Sequence, residues 1–353
     1  MKLNYKRLDN IQINKVTDDI ILVHQINTPS HFSCSDGLLI LPKEGRNSSA
    51  IALDINIEPE YIRTINKTFG PVSDYINTHG HMDHIAHVHA WEQLGTTIHA
   101  PDLEAKCLTG LYQFYLGFGW QEMNDFSLIE QFAELNKYQK CENVVPFEPG
   151  DKLEFEDLTL DTIPFTGHSK SHVGFFLPSE RILHVSCLGF DQPGPSVDGF
   201  GPWYGFKQCS ISKYLDDIDF AESLFLEKAN FLTSSHGYIV KKTETTPFRY
   251  MRSKLHKSQW IVDQGLITLD SHMGNEEKVD ELLKRDLFFP KMKMQGFLFD
   301  IYFFWESWII RHHIERNESL RNNKAVRPGK VAYFSGCESR PRRLASHRVE
   351  SPS

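Results

Sequence analysis

Between Thr78 and His89 the chain reads T-H-G-H-M-D-H-I-A-H-V-H, which puts His79, His81, Asp83 and His84 within six positions. Neutral imidazoles and a carboxylate are the donors that borderline divalent metals prefer. One histidine in a turn is ordinarily a surface residue, but four such donors at this spacing read as a ligand cluster. Residues two apart in an extended or tightly turned segment point the same way, so His79 and His81 close on one metal like a pincer. Asp83 and His84 lie past the turn, where the chain enters a helix, and face a second metal. Gly80 is expected to supply an unusual backbone angle between the first two histidines.

This H-x-H-x-D-H pattern resembles the signature of the metallo-β-lactamase superfamily, hydrolases and some oxidoreductases that share an αββα sandwich. The resemblance implies further ligands downstream in a fixed order. In T-G-H-S (Thr166 to Ser169), His168 resembles the histidine after glycine that completes the first metal site beside His79 and His81. Cys187 stands where the family usually places an aspartate that bridges both metals. A thiolate is a good zinc ligand, and binding ionises it; Asp191, four residues on, is the alternative. In T-S-S-H-G, His236 resembles the last signature. The implied sets are therefore His79, His81 and His168 for one metal, with Asp83, His84, Cys187 and His236 for the other. Asp54, at the end of an apolar run, matches the family aspartate that supports the metal-binding loop from behind. His87 and His89 are read as packing or supporting residues, and His172 as a surface or supporting one.

Three protein nitrogens and an open fourth position describe a catalytic zinc rather than a structural one. Two zinc ions are implied, with iron or manganese as alternatives. A metal pair lowers the pKa of a shared water from 15.7 towards about 7, and Asp83 would both bind and orient that water. Tyr204, in the Gly- and Pro-rich loop Gln192 to Gly205, is a second catalytic candidate, because a hydroxyl there could stabilise an oxyanion or donate a proton; G-P-W-Y-G also reads as a packing corner.

These residues need a scaffold. Ile20 to Val23, Leu38 to Leu41, Ala50 to Leu53 and the run ending at Ile76 are short apolar stretches between turn signals, as buried strands are. Glu58 to Asn66 is helical in pattern, and I-A-H-V-H-A-W-E-Q-L-G predicts a helix closed by Gly95. Leu153, Phe155, Leu158, Leu160 and Ile163 fit strands of period two, and Ser212 to Leu226 is helical. The fold class expected is α/β, a four-layer αββα sandwich with a helical C-terminal extension. A catalytic domain over 1–240 is expected to carry a helical, aromatic insertion at about 102–142, which either overhangs the metals or packs against the body. The extension over 241–320 would close the cleft or pair two copies as a homodimer, and 321–353 reads as a disordered tail.

Composition narrows the function. With 353 residues, 40% hydrophobic and 24% charged, the chain can bury a sizeable core. A net charge of −8 argues against a nucleic-acid partner. No apolar run reaches the roughly 18 residues of a membrane helix, and Met1 to Asn14 lacks the apolar segment of a secretory signal. Six scattered cysteines without a C-x-x-C pair fit reduced thiols, so a cytoplasmic location is expected. The function expected is hydrolysis of a small-molecule ester, thioester, lactone or β-lactam/amide bond. A phosphodiesterase or nuclease activity, or a non-haem iron oxidoreductase, is the alternative.

Overall fold

Along β3 (Ile20–Gln25), Ile20 and Leu22 face one way and Ile21 and Val23 the other, and both pairs are buried. A strand apolar on both faces must be covered on both. The computed structural model describes residues 5–30, 32–43, 49–156, 158–189, 201–237, 239–324 and 342–343, and it shows both covers. Ile20 and Leu22 join Leu38, Leu53, Ile76, Leu160, Phe175 and Ile182 in a core between two sheets. Ile21 and Val23 join a larger core under the helices, with Ile62, Ile65, Ile85 and Trp91. Each fully buried aliphatic side chain of this kind contributes about 1.5–3 kcal/mol.

The first sheet runs in chain order through β1 (Tyr5–Leu8), β2 (Ile11–Lys15), β3, β4 (Gly37–Ile40), β5 (Ala50–Leu53), β6 (Val72–Ile76), β7 (Thr97–Pro101) and β8 (Val145–Phe147). It is antiparallel up to β5 and parallel from there to β8. The second contains β9 (Lys152–Glu154), β10 (Thr159–Pro164), β11 (Val173–Leu177), β12 (Ile182–His184), β13 (Phe231–Thr233), β14 (Ile239–Lys241) and β15 (Arg342–Arg343), in the order β14-β13-β12-β11-β10-β9-β15. Its β12–β13 pair is parallel. Helix α1 (Pro59–Phe69) lies outside the first sheet. On the far side lies α7 (Ile211–Lys228), with Ser210 as its N-terminal cap and Tyr214, Ile218, Ala221 and Phe225 buried. Helix, sheet, sheet, helix is the four-layer order expected.

The stretch from Met82 departs from one continuous helix. It forms α2 (Met82–Ile85), a turn, and α3 (His89–Glu92) before Gly95, which is left-handed at φ 86°. In an unbroken helix the His87 N–H would donate to the Asp83 carbonyl. Instead the Asn56 amide occupies both groups, its Oδ1 accepting from His87 N–H at 2.7 Å and its Nδ2 donating to the Asp83 carbonyl. Gly80 is also needed for space rather than for backbone angle. It is outside the left-handed region, and a Cβ there would lie 3.1 Å from the Cβ of Cys107 and 3.2 Å from that of Glu104.

The insertion folds as α4 (Ala105–Thr109), α5 (Leu111–Gly117), a 3-10 turn at Trp120–Glu122 and α6 (Phe126–Leu135). The C-terminal region folds as α8 (Thr246–Ile267), α9 (Asn275–Leu283) and α10 (Phe297–Lys324). The two are packed together: Trp120 stacks on Phe304 at 4.0 Å between ring centroids, and Phe132 meets Trp305 at 6.0 Å. Phe248, Met251, Ile301 and Trp305 share the main core with the sheets. A buried ion pair anchors α10, Glu306 to Lys291 at 3.1 Å. Of the segment read as a disordered tail, 321–324 continue α10, and beyond them only 342–343 are described. No helix among the described residues is long and apolar enough to cross a membrane.

Candidate metal centre

The candidate ligands leave the C-terminal ends of strands in both sheets, the place where open α/β sheets bind ligands. The loop after β6 carries His79 to His84, the one after β10 carries His168, and those after β12 and β13 carry Cys187 and His236. Two donor groups form. Asp83, His84, Cys187 and His236 bring ligand atoms within 4.8 Å of one another, as do His79, His168 and Cys187. The His84 and His236 Nε2 atoms each lie 3.0 Å from the Cys187 sulfur. His81 packs its ring 4.5 Å from those of His79 and His168, but its nitrogens stand outside both groups, and its buried Nε2 has no hydrogen-bond partner.

Hydrogen bonds behind the rings set their tautomers. His168 Nδ1–H donates to the Trp203 carbonyl at 2.8 Å, and His84 Nδ1–H to the Asp54 carboxylate at 2.9 Å. Thr78 Oγ1 donates to Asp54 at 2.8 Å and so accepts from His79 Nδ1–H at 3.0 Å. All three rings therefore turn Nε2 to the centre, with a lone pair on His79 and His168. On His84 it carries a proton that a cation would displace, because burial, which lowers its pKa, is outweighed by Asp54, Cys187 and Asp83, which raise it well above the ordinary histidine value. The two lone pairs, on His79 and His168, are only 3.1 Å apart. Facing lone pairs repel, and a cation between them turns that repulsion into coordination, so the donor set fits a divalent metal. Second-tier hydrogen bonds of this kind are the usual orienting device of metal sites.

Electrostatics agree. Burial, reinforced by the neighbouring imidazoles, holds His79 and His81 well below the ordinary histidine value, which keeps them neutral as ligands must be. Burial alone would raise the Cys187 thiol, but His84 and His236 outweigh it and bring it well below the ordinary thiol value. Burial also opposes ionisation of Asp83, and His84 and His236 overcome it.

Asp54 stands behind the ligand loops as the resemblance implied, whereas Glu104 and Gly167 were not legible from spacing. Asp54 is fully buried and left-handed at φ 57°, and it gathers Thr78, Ser186, Ser235 and His84 around one carboxylate. Buried Glu104, in the insertion, accepts from the Gly80 N–H at 2.6 Å, the Ser171 N–H at 2.9 Å and the Ser169 hydroxyl, tying the loop of His79 to the loop of His168. Gly167 is forced by contact, since a Cβ there would lie 2.3 Å from the Tyr214 backbone. His172 is buried rather than at the surface, its ring 4.7 Å from His79 and 4.9 Å from His168.

Tyr204 does not take the catalytic position expected of it. It is 3% exposed and its hydroxyl pairs with His313 Nε2 on α10 at 3.0 Å, because G-P-W-Y-G folds inward as a packing corner. Asp191 lies outside the described residues. His87 and His89 are buried away from both groups. Phe118 and Phe206 wall the His81 side, with centroids 4.9 and 4.7 Å from its ring. The centre opens instead towards Asp83 and His236, whose side chains are 20% and 30% exposed.

Residues 68–228 match the family model described as the metallo-beta-lactamase superfamily. Among solved structures, a metallo-beta-lactamase family protein from Thermus thermophilus is 15% identical with a TM-score of 0.57, over 86% of this chain and 95% of that one. A metallo beta lactamase from Erythrobacter litoralis is 14% identical with a TM-score of 0.49, over 72% of this chain and 100% of that one. No curated protein matches the sequence. The family match covers the loops that carry His79 to His84, His168 and Cys187, and the four-layer fold around them is the metallo-beta-lactamase fold.

Proposed function

We propose that the protein is a metal-dependent hydrolase that uses two divalent cations, zinc in the first instance, against a small molecule with an ester, thioester, lactone or β-lactam/amide bond. The observation that carries this reading is the pair of donor groups with inward lone pairs, meeting at one cysteine. His79, His81 and His168 would hold one cation, and Asp83, His84, Cys187 and His236 the other. Bound there, the cations supply Lewis acidity and a water whose pKa falls from 15.7 towards about 7.

The protein's own residues do the rest. Asp83, on the open side, offers a carboxylate oxygen that accepts a hydrogen bond from the attacking water and aims its lone pair. Phe118 and Phe206 keep bulk water off the His81 face, which strengthens charge interactions inside. A soft sulfur donor supports zinc over harder cations, and the net charge of −8 supports a small substrate over a nucleic acid.

The test is elemental analysis of protein purified without added metal, together with a panel of chromogenic β-lactam, thioester, lactone and phosphodiester substrates. Zinc near two equivalents and turnover of an acyl substrate that His81→Ala abolishes are expected. Iron with a visible absorption band, or turnover of the phosphodiester alone, would overturn the assignment.

A further inference from the structure

The antiparallel pairing of β3 with β4 sets Leu22 opposite Leu38 and Val23 opposite Gly37, and the same register carried one step further sets His24 opposite Asp36. Side chains alternate along a strand. Ile20, Leu22 and Leu38 lie in the core between the sheets, so His24 and Asp36 continue the face that looks across to the second sheet. Through two successive antiparallel pairings β3 runs in the same direction as β5 and β6. Its C-terminal end, with His24, therefore lies at the edge where the candidate ligands emerge. There the two side chains pair: His24 Nδ1–H donates to the Asp36 carboxylate, with both oxygens at 2.8 Å.

Asp36 is held between the two loops that flank the open side of the centre. Its N–H donates to the Ser235 carbonyl at 2.8 Å, one residue before His236. Ser35, beside it, exchanges backbone hydrogen bonds with Asn56, whose amide holds the Asp83 carbonyl. The Asp36 side chain is 9% exposed and that of His24 29%, so the carboxylate is the buried half of the pair and the ring reaches solvent. Among the described residues no hydrogen bond takes the His24 Nε2. Burial works against the charged ring and Asp36 outweighs it, with His236 opposing, so His24 is held above the ordinary histidine value.

Tyr204, the proton donor expected from the sequence, is turned inward on His313, which leaves that role to another side chain. We propose that His24 is the catalytic acid that delivers a proton to the departing group of the substrate, with Asp36 as the residue that positions it. This rests on the hydrolytic reading above and assigns the half of the reaction that the donor groups leave open. As the bond from the acyl carbon breaks, its electron pair stays on the leaving oxygen or nitrogen and the His24 Nε2 proton bonds to that atom. The neutral ring regains a proton released by the water that enters for the next turnover; nothing is oxidised or reduced. Such assistance matters for alkoxides and amines, which leave poorly without a proton, and little for nitrophenolate or thiolate. The arrangement therefore fits alkyl esters, lactones and amides over thioesters.

Butyrate esters that differ only in the departing group test this on the zinc-loaded full chain, with metal counted by elemental analysis in every sample. In His24→Gln, turnover of ethyl butyrate should fall by about a hundredfold or more, and the ratio of para-nitrophenyl to ethyl ester turnover should rise with it. Asp36→Asn should raise the same ratio to a lesser degree. Imidazole nitrogen chemical shifts of the metal-free chain give a readout independent of activity: the neutral His24 ring should carry its proton on Nδ1, and Asp36→Asn should remove that preference. Equal losses on both esters, no loss on either, or an Nδ1 preference that ignores Asp36 would overturn the proposal and leave the metal-dependent hydrolase standing. A metal-loaded wild type that turns over neither ester overturns the role given to His24, whereas a chain that holds no metal overturns the hydrolytic reading beneath it. Should His24→Gln fail to fold, Asp36→Asn carries the comparison alone.

Discussion

Asp54→Asn isolates what the carboxylate behind the ligands contributes. The substitution keeps volume and shape, and asparagine is among the residues that tolerate the left-handed φ of 57° found there. What changes is the partner of His84. The carboxylate accepts the Nδ1–H at 2.9 Å and leaves Nε2 turned to the centre, 3.0 Å from the Cys187 sulfur. An amide placed with its NH2 towards His84 stabilises the opposite tautomer, with the proton on the nitrogen that must bind the cation. Relative to the wild type, the competent tautomer in the variant lacks its hydrogen bond to a charged group, worth about 1.5–3 kcal/mol. At about 1.4 kcal/mol per factor of ten, affinity for the second cation should fall by roughly 10–150-fold, and affinity for the first by less. Competition against a chromogenic chelator at neutral pH measures both constants, and imidazole nitrogen chemical shifts report the tautomer. Affinities within twofold of the wild type, or a His84 that keeps Nδ1 protonated in the variant, would refute the reasoning.

Three further outcomes are expected. Glu104→Gln leaves at least one buried N–H without an acceptor between the His79 and His168 loops, so metal-free stability should fall by about 1–3 kcal/mol in urea unfolding; an unchanged midpoint would mean that the loops do not depend on it. Asp217 accepts the Gly167 N–H at 2.7 Å, and burial pushes its carboxyl up to about 7 from 3.8. Because the folded value lies above the unfolded one, its stabilising contribution is complete below pH 3.8 and is lost as pH rises through about 7. The full shift would be worth about 4 kcal/mol, and ~1–2 kcal/mol after allowance for its partial exposure. Metal-free wild type should therefore lose that much relative to Asp217→Asn between pH 4 and pH 8, and parallel stability profiles would contradict it. Tyr204→Phe should cost about 0.5–1.5 kcal/mol of stability by unpairing His313 and leave turnover within twofold; a tenfold loss of rate with stability intact would restore Tyr204 to the chemistry.

The candidate donors were legible because coordination would constrain both residue type and spacing, so H-x-H-x-D-H and the later glycine- and serine-flanked histidines leave a trace in one dimension. The layers were legible for a similar reason, since a strand such as Ile20 to Val23 buried on both faces requires cover on both. Glu104 left no such trace. It lies 24 residues beyond Gly80 and 65 before Ser169, inside a helical insertion where a glutamate is ordinarily solvated, and only the folded chain brings it to both loops. The break after Ile85 was hidden for a related reason: Asn56, far upstream, intercepts the hydrogen bond that would have continued the helix. For His172 and Tyr204 the sequence left two readings each, and the choice depends on contacts from remote segments: His172 lies beside His79, His168 and Phe165, and Tyr204 pairs with His313 of α10. Cys187 was readable as a candidate ligand, but its place between two donor groups depends on distances across the seam of the sandwich.

That seam has one more implication. His79 to His84 hang from the first sheet, while His168, Cys187 and His236 hang from the second. Cations gripped from both sides would rivet the two halves of the molecule, and every increment of binding energy would then count towards keeping the halves docked. Chelation would strip out the rivets along with the chemistry, so a cell short of the metal would be left with a chain that unfolds more readily and falls sooner to proteolysis.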